Sequence, residues 1–312
     1  MGRAISELKK TALYQSINRW RWRERLIHPG NANSDDTYFV IRRHAEKAGL
    51  FSFVMTSMGS CLEAEERGLI PVVDMQNAKN LLLNESEVGK VNAWDYFFEQ
   101  PGGVPLETAM QSRNVVLSGI DVPRMFPGYS MFQKPEEMEL WRNVAHKYLK
   151  LQEDIQEEVM QYYKKALWNQ RVLGVLCRGT DYLQLKPRNH PVQPDPDNVI
   201  RQCSEVMERK NCDSIYLATE DETIWQKFQK AFPGRVYCYQ THRYHIKSGE
   251  YINDVIYRKG DSYRRNREYL ISIAILSMCD CLVAGITGGT LGAMLLTRGY
   301  EYEYIYDLGL YP

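Results

Sequence analysis

Between residues 171 and 298, short apolar runs alternate with helical segments. That alternation restricts the possible folds more than any other feature of the chain. RVLGVLC (Arg171 to Cys177), DSIYLAT (Asp213 to Thr219), the run from Arg235 to Tyr239 and the run from Cys281 to Ala284 read as strands. Asn198 to Lys210, Glu222 to Phe232, Tyr269 to Met278 and Leu291 to Leu296 read as helices. Strands that alternate with helices build a doubly wound parallel sheet. Such a sheet offers ligands the crevice beyond the carboxyl ends of its strands.

Three of these strand ends carry unusual polar clusters. After the first comes Arg178-Gly179-Thr180-Asp181. An arginine just past a buried strand can fork onto a phosphate, and a glycine beside it lets backbone approach a ligand. The alternative is a surface turn held by an internal Arg178–Asp181 pair. After the next strand comes Thr219-Glu220-Asp221, where Thr219 or Asp221 either faces a ligand or caps the helix beginning at Glu222. The third cluster is Gly285-Ile286-Thr287-Gly288-Gly289-Thr290-Leu291-Gly292. A glycine-rich turn into a helix presents N–H groups and a positive dipole end to a phosphate. It also serves tight strand–helix turns. Three clusters in one alternating region point to a nucleotide site more strongly than any one of them.

The first half is less regular. Residues 5 to 27 read as a helix containing RWRWRER (Arg19 to Arg25). That basic, Trp-bearing stretch either rests on an anionic membrane as a peripheral contact or packs its tryptophans on the domain. Asn31 to Asp36 reads as a polar linker and Thr37 to Arg43 as a strand. Leu50 to Thr56 reads as a strand, Gly59 as a turn, CLEAEERGL as a helix and IPVVDM (Ile70 to Met75) as a second strand, a βαβ unit. Asp74 falls at that strand's carboxyl end. An aromatic loop, NAWDYFFEQPGG, holds Asp95 and Glu99; Val115 to Ser118 reads as a strand, and Pro135 to Gln170 as two helices. His44 reads as structural.

The chain has 312 residues, enough for two domains, and the pattern divides it into 1–168 and 169–312. Its 39 Lys and Arg balance 39 Asp and Glu, so the basic excess of a nucleic-acid binder is missing. Seven cysteines occur without a C-x-x-C pair, which gives no zinc or thioredoxin-type motif and fits reduced, buried thiols. The charged start MGRAISELKK is no signal peptide, and Tyr269 to Ile286 is interrupted by Asp280, so a cytoplasmic protein without a membrane span is expected.

GVLCRGTDY, DSIYLATEDE and LSMCDCLVAGITGGTLGAMLL, in that order, resemble the donor domain of the GDP-fucose-dependent fucosyltransferases. The resemblance spans residues 171 to 298. In the first half, IPVVDM and WDYFFEQ resemble bacterial polysaccharide-synthesis relatives. The resemblance implies an α/β fold of GT-B type, two Rossmann-like domains facing a central cleft. It implies GDP-fucose as donor substrate, a glycan acceptor (lipid-linked is one form), inversion, and no cofactor or metal. Arg178 matches the family's diphosphate arginine and Asp181 its loop carboxylate. Glu220 and Asp221 match its paired acids, and Thr287 to Leu291 its Ser/Gly-rich turn around the phosphates.

Three positions depart from the pattern. Leu176 stands where the family has His, Glu220 where it has Asp, and Ser272 where an acid contacts the guanine. Glu268, one turn earlier, is the substitute for that acid. A general base near the acceptor hydroxyl is required. His190, in the Pro-stiffened KPRNHPVQP, is the first candidate, with Asp74, Asp95 and Glu99 as acceptor-side rivals. Two other readings remain: a GT-B enzyme for a different nucleotide-sugar, and a non-catalytic nucleotide-sugar or glycan-binding module.

Overall fold

The computed structural model describes residues 16–17, 20, 22–178, 185–243, 258 and 260–312. Two sheets organise them. The first contains β1 (Arg25–Ile27), β2 (Ala32–Arg42), β3 (Ile70–Asp74) and β4 (Ser112–Leu117), in the order β1-β4-β2-β3. Only β1 runs antiparallel. The second contains β5 (Val172–Leu176), β6 (Ser214–Ala218), β7 (Val236–Tyr237), β8 (Cys281–Gly285) and β9 (Tyr302–Tyr306). It is parallel throughout, in the order β7-β6-β5-β8-β9. This is an α/β fold of two mostly parallel sheets.

Every residue of β5, β6 and β8 is buried. Both faces of this sheet are therefore covered, which is why these strands read as continuous apolar runs. On one face, Leu173, Val175, Ile215 and Val283 pack with apolar residues of α5 (Pro196–Lys210) and α6 (Glu222–Ala231). On the other, Leu176, Tyr216 and Ala284 join a cluster that includes Leu270 and Leu291. These two belong to α7 (Asp261–Leu276) and α8 (Gly288–Leu296). The same cluster holds Phe39, Phe51 and Val73 of the first half, so one apolar core runs through both. The helices α3 (Pro135–Tyr148) and α4 (Glu153–Ala166) reach across as well, with α3 packed on α8 and α4 on α7.

Several local readings are corrected. Leu50 to Thr56 is no strand but the start of α1 (Leu50–Glu66). Leu50, Phe51, Phe53, Val54, Met58 and Cys61 are all buried at helical spacing, and packing on the core outweighs the β-propensity of the phenylalanines and Val54. The βαβ unit is accordingly β2–α1–β3, and the short α2 (Leu106–Ala109) leads into β4. The polar stretch Asn31 to Asp36 is not a linker; Ala32 already pairs with Ser112, and the register shifts between Ala32 and Thr37. The helix expected through residue 27 gives way to β1 at Arg25, where pairing with β4 sets the backbone. The rest of that helix falls largely outside the described residues. A fifth strand of the second sheet, β9, was not anticipated.

Candidate functional site

A cavity of about 340 Å³ opens between the two halves. The second half lines it with residues from three strand ends. Leu176 and Arg178 follow β5, Ala218 to Glu220 follow β6, and Thr287 and Gly288 follow β8. The parallel sheet brings these ends to one edge, as the alternation predicts.

Helix caps fix much of this wall. The Thr287 hydroxyl accepts from the Thr290 N–H at 3.1 Å, which anchors the first turn of α8. Asp221 caps α6: its Oδ1 accepts from the N–H groups of Thr223 and Ile224 at 2.7 and 3.1 Å. A cap of this kind contributes about 1 kcal/mol. Of the two roles open to Asp221, this is the one it fills here, and it is not part of the cavity wall. Its neighbour Glu220 is on the wall, 3.9 Å from Arg178 Nε, with both side chains largely covered. Gly289, Thr290 and Leu291 are buried inside α8 and lie behind the lining. Gly179, Thr180 and Asp181 lie outside the described residues.

The opposite wall was not foreseen. It is the loop before α1 and the first turn of that helix, from Lys47 to Ser52, with Met55 and Tyr129. Among the described residues no side chain caps α1 at Gly49, and the first turn of that helix, Leu50 to Ser52, lines the cavity. The first turns of α1 and α8 thus converge on one space, and each brings the positive end of a helix dipole. The two helices touch where Gly292 meets Phe51: a methyl at Gly292 would lie 2.2 Å from the Phe51 ring.

The floor comes from α7. Arg265, Asn266, Glu268, Tyr269 and Ser272 face the cavity. Glu268 Oε2 accepts from Arg258 at 2.8 Å and from the His242 backbone N–H at 3.2 Å. Ser272 Oγ lies 3.2 Å from the Tyr216 hydroxyl. Burial holds the Tyr216 phenol well above its usual pKa, so it stays neutral. Burial likewise pushes the Cys177 thiol up, with Glu220 and Asp221 adding to the effect. A neutral buried thiol is no nucleophile, despite its place next to Arg178. His190 and His242 stand on the wall as well. The lining therefore carries Lys47, Arg178 and Arg265 against Glu220 and Glu268, a balance suited to an anion.

The first-half candidates lie elsewhere. Asp74 borders a separate, smaller pocket with Arg42, Arg43 and Asp121. Its Oδ1 accepts from the N–H groups of Gln76 and Asn77 at 2.9 and 3.1 Å. Burial lowers the pKa of both Arg42 and Arg43. Asp95 and Glu99 occupy an exposed turn; Asp95 Oδ1 accepts from Gln100 at 2.6 Å, and neither residue borders a cavity among the described residues. Of the tryptophans in the basic stretch, Trp22 packs on His44 with ring centroids 4.1 Å apart, whereas Trp20 is exposed.

The architecture matches solved structures over most of its length. NodZ α-1,6-fucosyltransferase, in a crystal soaked with GDP-fucose, superposes with a TM-score of 0.50. The match has 15% identity and covers 84% of this chain and 93% of that one. POFUT1 in complex with GDP-fucose gives 0.51 at 10% identity, covering 89% and 99%. NodZ from Bradyrhizobium gives 0.50 at 14% identity, covering 85% and 93%. This chain has the GT-B fold of those fucosyltransferases. At such identities the likeness is one of fold. No family model and no curated sequence matches the chain. Within that fold, the residues that sequence reasoning missed (Lys47, Tyr129, His242, Arg265 and Tyr269 among them) come from irregular segments or from the polar first turns of α7. A usable signal did exist for α1, in the helical spacing of Leu50 to Cys61.

Proposed function

We propose that this protein is a glycosyltransferase that takes a sugar, fucose first among candidates, from its GDP derivative and passes it to a glycan acceptor. The observation that carries the proposal is the convergence of Arg178, Lys47 and the first turns of α1 and α8 on one cavity between two mostly parallel sheets. A diphosphate leaving group develops charge as the glycosidic bond breaks. Preorganised cations and backbone N–H groups stabilise that charge most where water is excluded. In this reading Arg178 holds the diphosphate, with Glu220 keeping its guanidinium in place until the donor arrives. These groups take the charge that a metal takes in other transferases. Glu268, beside Ser272 on α7, accepts from the guanine N–H groups. His190 is the candidate base on the cavity wall.

A different nucleotide-sugar is the second reading. It is favoured by Leu176, an apolar side chain on the wall where the resembling family has an imidazole. Thermal unfolding with GDP, UDP and ADP separates the two. We expect GDP to raise the midpoint by several degrees, since ligand at a hundred times its Kd stabilises by about 2.7 kcal/mol. Protection by UDP alone would refute the GDP assignment. Release of sugar from GDP-fucose, assayed beside it, separates an enzyme from a binding module.

A further inference from the structure

A buried carboxylate that the proposed transfer does not use sits at the start of α7. Asp261 is the first residue of that helix and is 0% exposed. A carboxylate taken fully out of water is costly unless cations pair with it. Two cations do so here. Arg258 Nε donates to Asp261 Oδ1 at 2.9 Å, and Arg265 Nη1 lies 3.8 Å from Asp261 Oδ2.

Both arginines lead to the cavity. Arg265 is on its floor. Arg258 Nη2 donates at 2.8 Å to Oε2 of Glu268, which is on the same floor. Arg265, Asp261, Arg258 and Glu268 thus form a row of alternating charge. The outer two line the cavity and the inner two lie behind it.

Local backbone sets up this row. The Asp261 N–H donates to the Arg258 carbonyl at 3.1 Å, closing a turn at Gly260. Gly260 has a φ of +69°, a conformation that a residue with a Cβ rarely adopts. The turn folds Arg258 back along α7, where its planar fork spans two carboxylates, Nε on one and Nη2 on the other. Asp261, Arg265 and Glu268 follow at spacings of four and three, so they share one face of the helix.

The helix has other means of staying in place. Leu270 to Leu276 are all buried. Arg267 pairs with Asp154 and Glu158 of α4 at 2.9 and 2.5 Å. Tyr263 packs on Tyr96 of the first half, with ring centroids 4.9 Å apart. A buried ion pair adds little net stability, because desolvation offsets the attraction. What the row does set is the direction of one carboxylate. Arg258 and the His242 N–H, at 3.2 Å, both donate to Glu268 Oε2. Among the described residues these donors fall on that one oxygen, which leaves Oε1 for a ligand.

We infer that Asp261 is a positioning residue for base recognition: it anchors Arg258, Arg258 aims Glu268, and the aimed carboxylate makes the site prefer guanine to adenine. This rests on the proposed nucleotide reading and supplies the device behind its base preference. Guanine presents paired N–H donors to an acceptor, and adenine lacks that pair. A carboxylate held in one direction tells the two apart; one that swings does not.

The test is the dissociation constants of GDP and ADP, measured by calorimetry on the full chain. Wild type, Asp261→Asn, Arg258→Lys and Glu268→Gln are compared. Wild type is expected to favour GDP about tenfold or more, the range for a hydrogen bond to a charged group. Asp261→Asn keeps the size and removes the charge. Arg258→Lys keeps the charge but cannot span two carboxylates. Each is expected to weaken GDP about five- to tenfold and to leave ADP within about twofold, so that the preference collapses as it does in Glu268→Gln. If Asp261→Asn does not fold, Arg258→Lys carries the test, because it leaves the buried carboxylate a cation. A role in stability alone would lower both affinities together and keep their ratio. A preference kept in Arg258→Lys and lost in Glu268→Gln would overturn the inference and leave the guanine reading standing. A wild type without preference, or a Glu268→Gln variant that keeps it, would overturn that reading and the inference with it.

Discussion

The two halves meet the cavity in different ways. The second reaches it through the carboxyl ends of β5, β6 and β8, each followed by a short polar cluster. The first reaches it through a helix terminus, at Lys47 to Ser52, and through the isolated Tyr129. Its own strand ends, at Arg42 and Asp74, border the separate smaller pocket instead. A regular sheet edge places ligand groups by topology, so their positions repeat from strand to strand. A helix start and a loop place them by tertiary packing, here the contact of Phe51 with Gly292. If this contrast is correct, the second half should dominate donor binding and the first should adjust it.

The largest effect is expected at Arg178. Its guanidinium is the cation that follows a buried strand onto the cavity wall. Arg178→Ala should reduce turnover of GDP-fucose by about 10²- to 10³-fold, the range for loss of one preorganised group that stabilises developing charge. Circular dichroism should remain unchanged. Turnover within a few-fold of wild type would remove the second half's leading role.

Next is the joint between the halves. Gly292→Val puts a branched side chain where the Phe51 ring already lies. Overpacking at such a contact costs about 1–3 kcal/mol. The unfolding midpoint should drop by several degrees, at about 2–4 °C per kcal/mol for chains approaching this length. GDP affinity should fall with it, because α1 and α8 must separate at their first turns. A lower midpoint with undiminished affinity would mean that the first half contributes nothing to the donor site.

Lys47 tests that contribution directly. It is an exposed cation on the cavity wall opposite Arg178's sheet. Lys47→Ala should weaken GDP about three- to tenfold, near 1 kcal/mol, and the loss should shrink at high salt because exposed charges are screened. An effect equal to that of Arg178→Ala would erase the contrast between the halves.

The same contrast explains what could be read from the sequence. β5, β6, β8 and the polar clusters after them were legible because a buried parallel strand is an unbroken apolar run and its ligand groups follow at once. Arg178, Glu220 and Thr287 were found this way. Glu268 and Ser272 came from family resemblance. In the first half the rule misfired at Leu50 to Thr56: the phenylalanines and Val54 suggested a strand, and the spacing of the same residues was helical. That error concealed the N-terminus of α1, and with it Lys47. Arg265 was missed because the first turns of α7 face the cavity instead of the core, and so lack an apolar stripe to mark them as helix. Tyr129 and His242 sit in segments where only tertiary structure could place them.

The smallest effect is expected at Ser272, and it separates two side chains of the same helix face. Ser272 and Glu268 stand one turn apart on the cavity wall, and either could contact a guanine. The Ser272 hydroxyl is already beside that of Tyr216, which is buried and also lies 3.3 Å from the Ser272 carbonyl oxygen. Ser272→Ala would leave Tyr216 that second acceptor, so the cost to stability should be at most about 1 kcal/mol. A hydroxyl engaged inward adds little to a base, so GDP affinity should change less than about threefold. Glu268 is bound by Arg258 and the His242 N–H, and these contacts fix its carboxylate at the wall. Glu268→Gln should weaken GDP about tenfold, since a charge-assisted hydrogen bond is replaced by a neutral one. It should leave UDP binding unchanged, because guanine's paired N–H donors are absent from uracil. The reverse ranking, with Ser272 dominant, would place the base on the other side of that helical turn. Equal loss of GDP and UDP from Glu268→Gln would mean that the carboxylate supports the wall and reads no base.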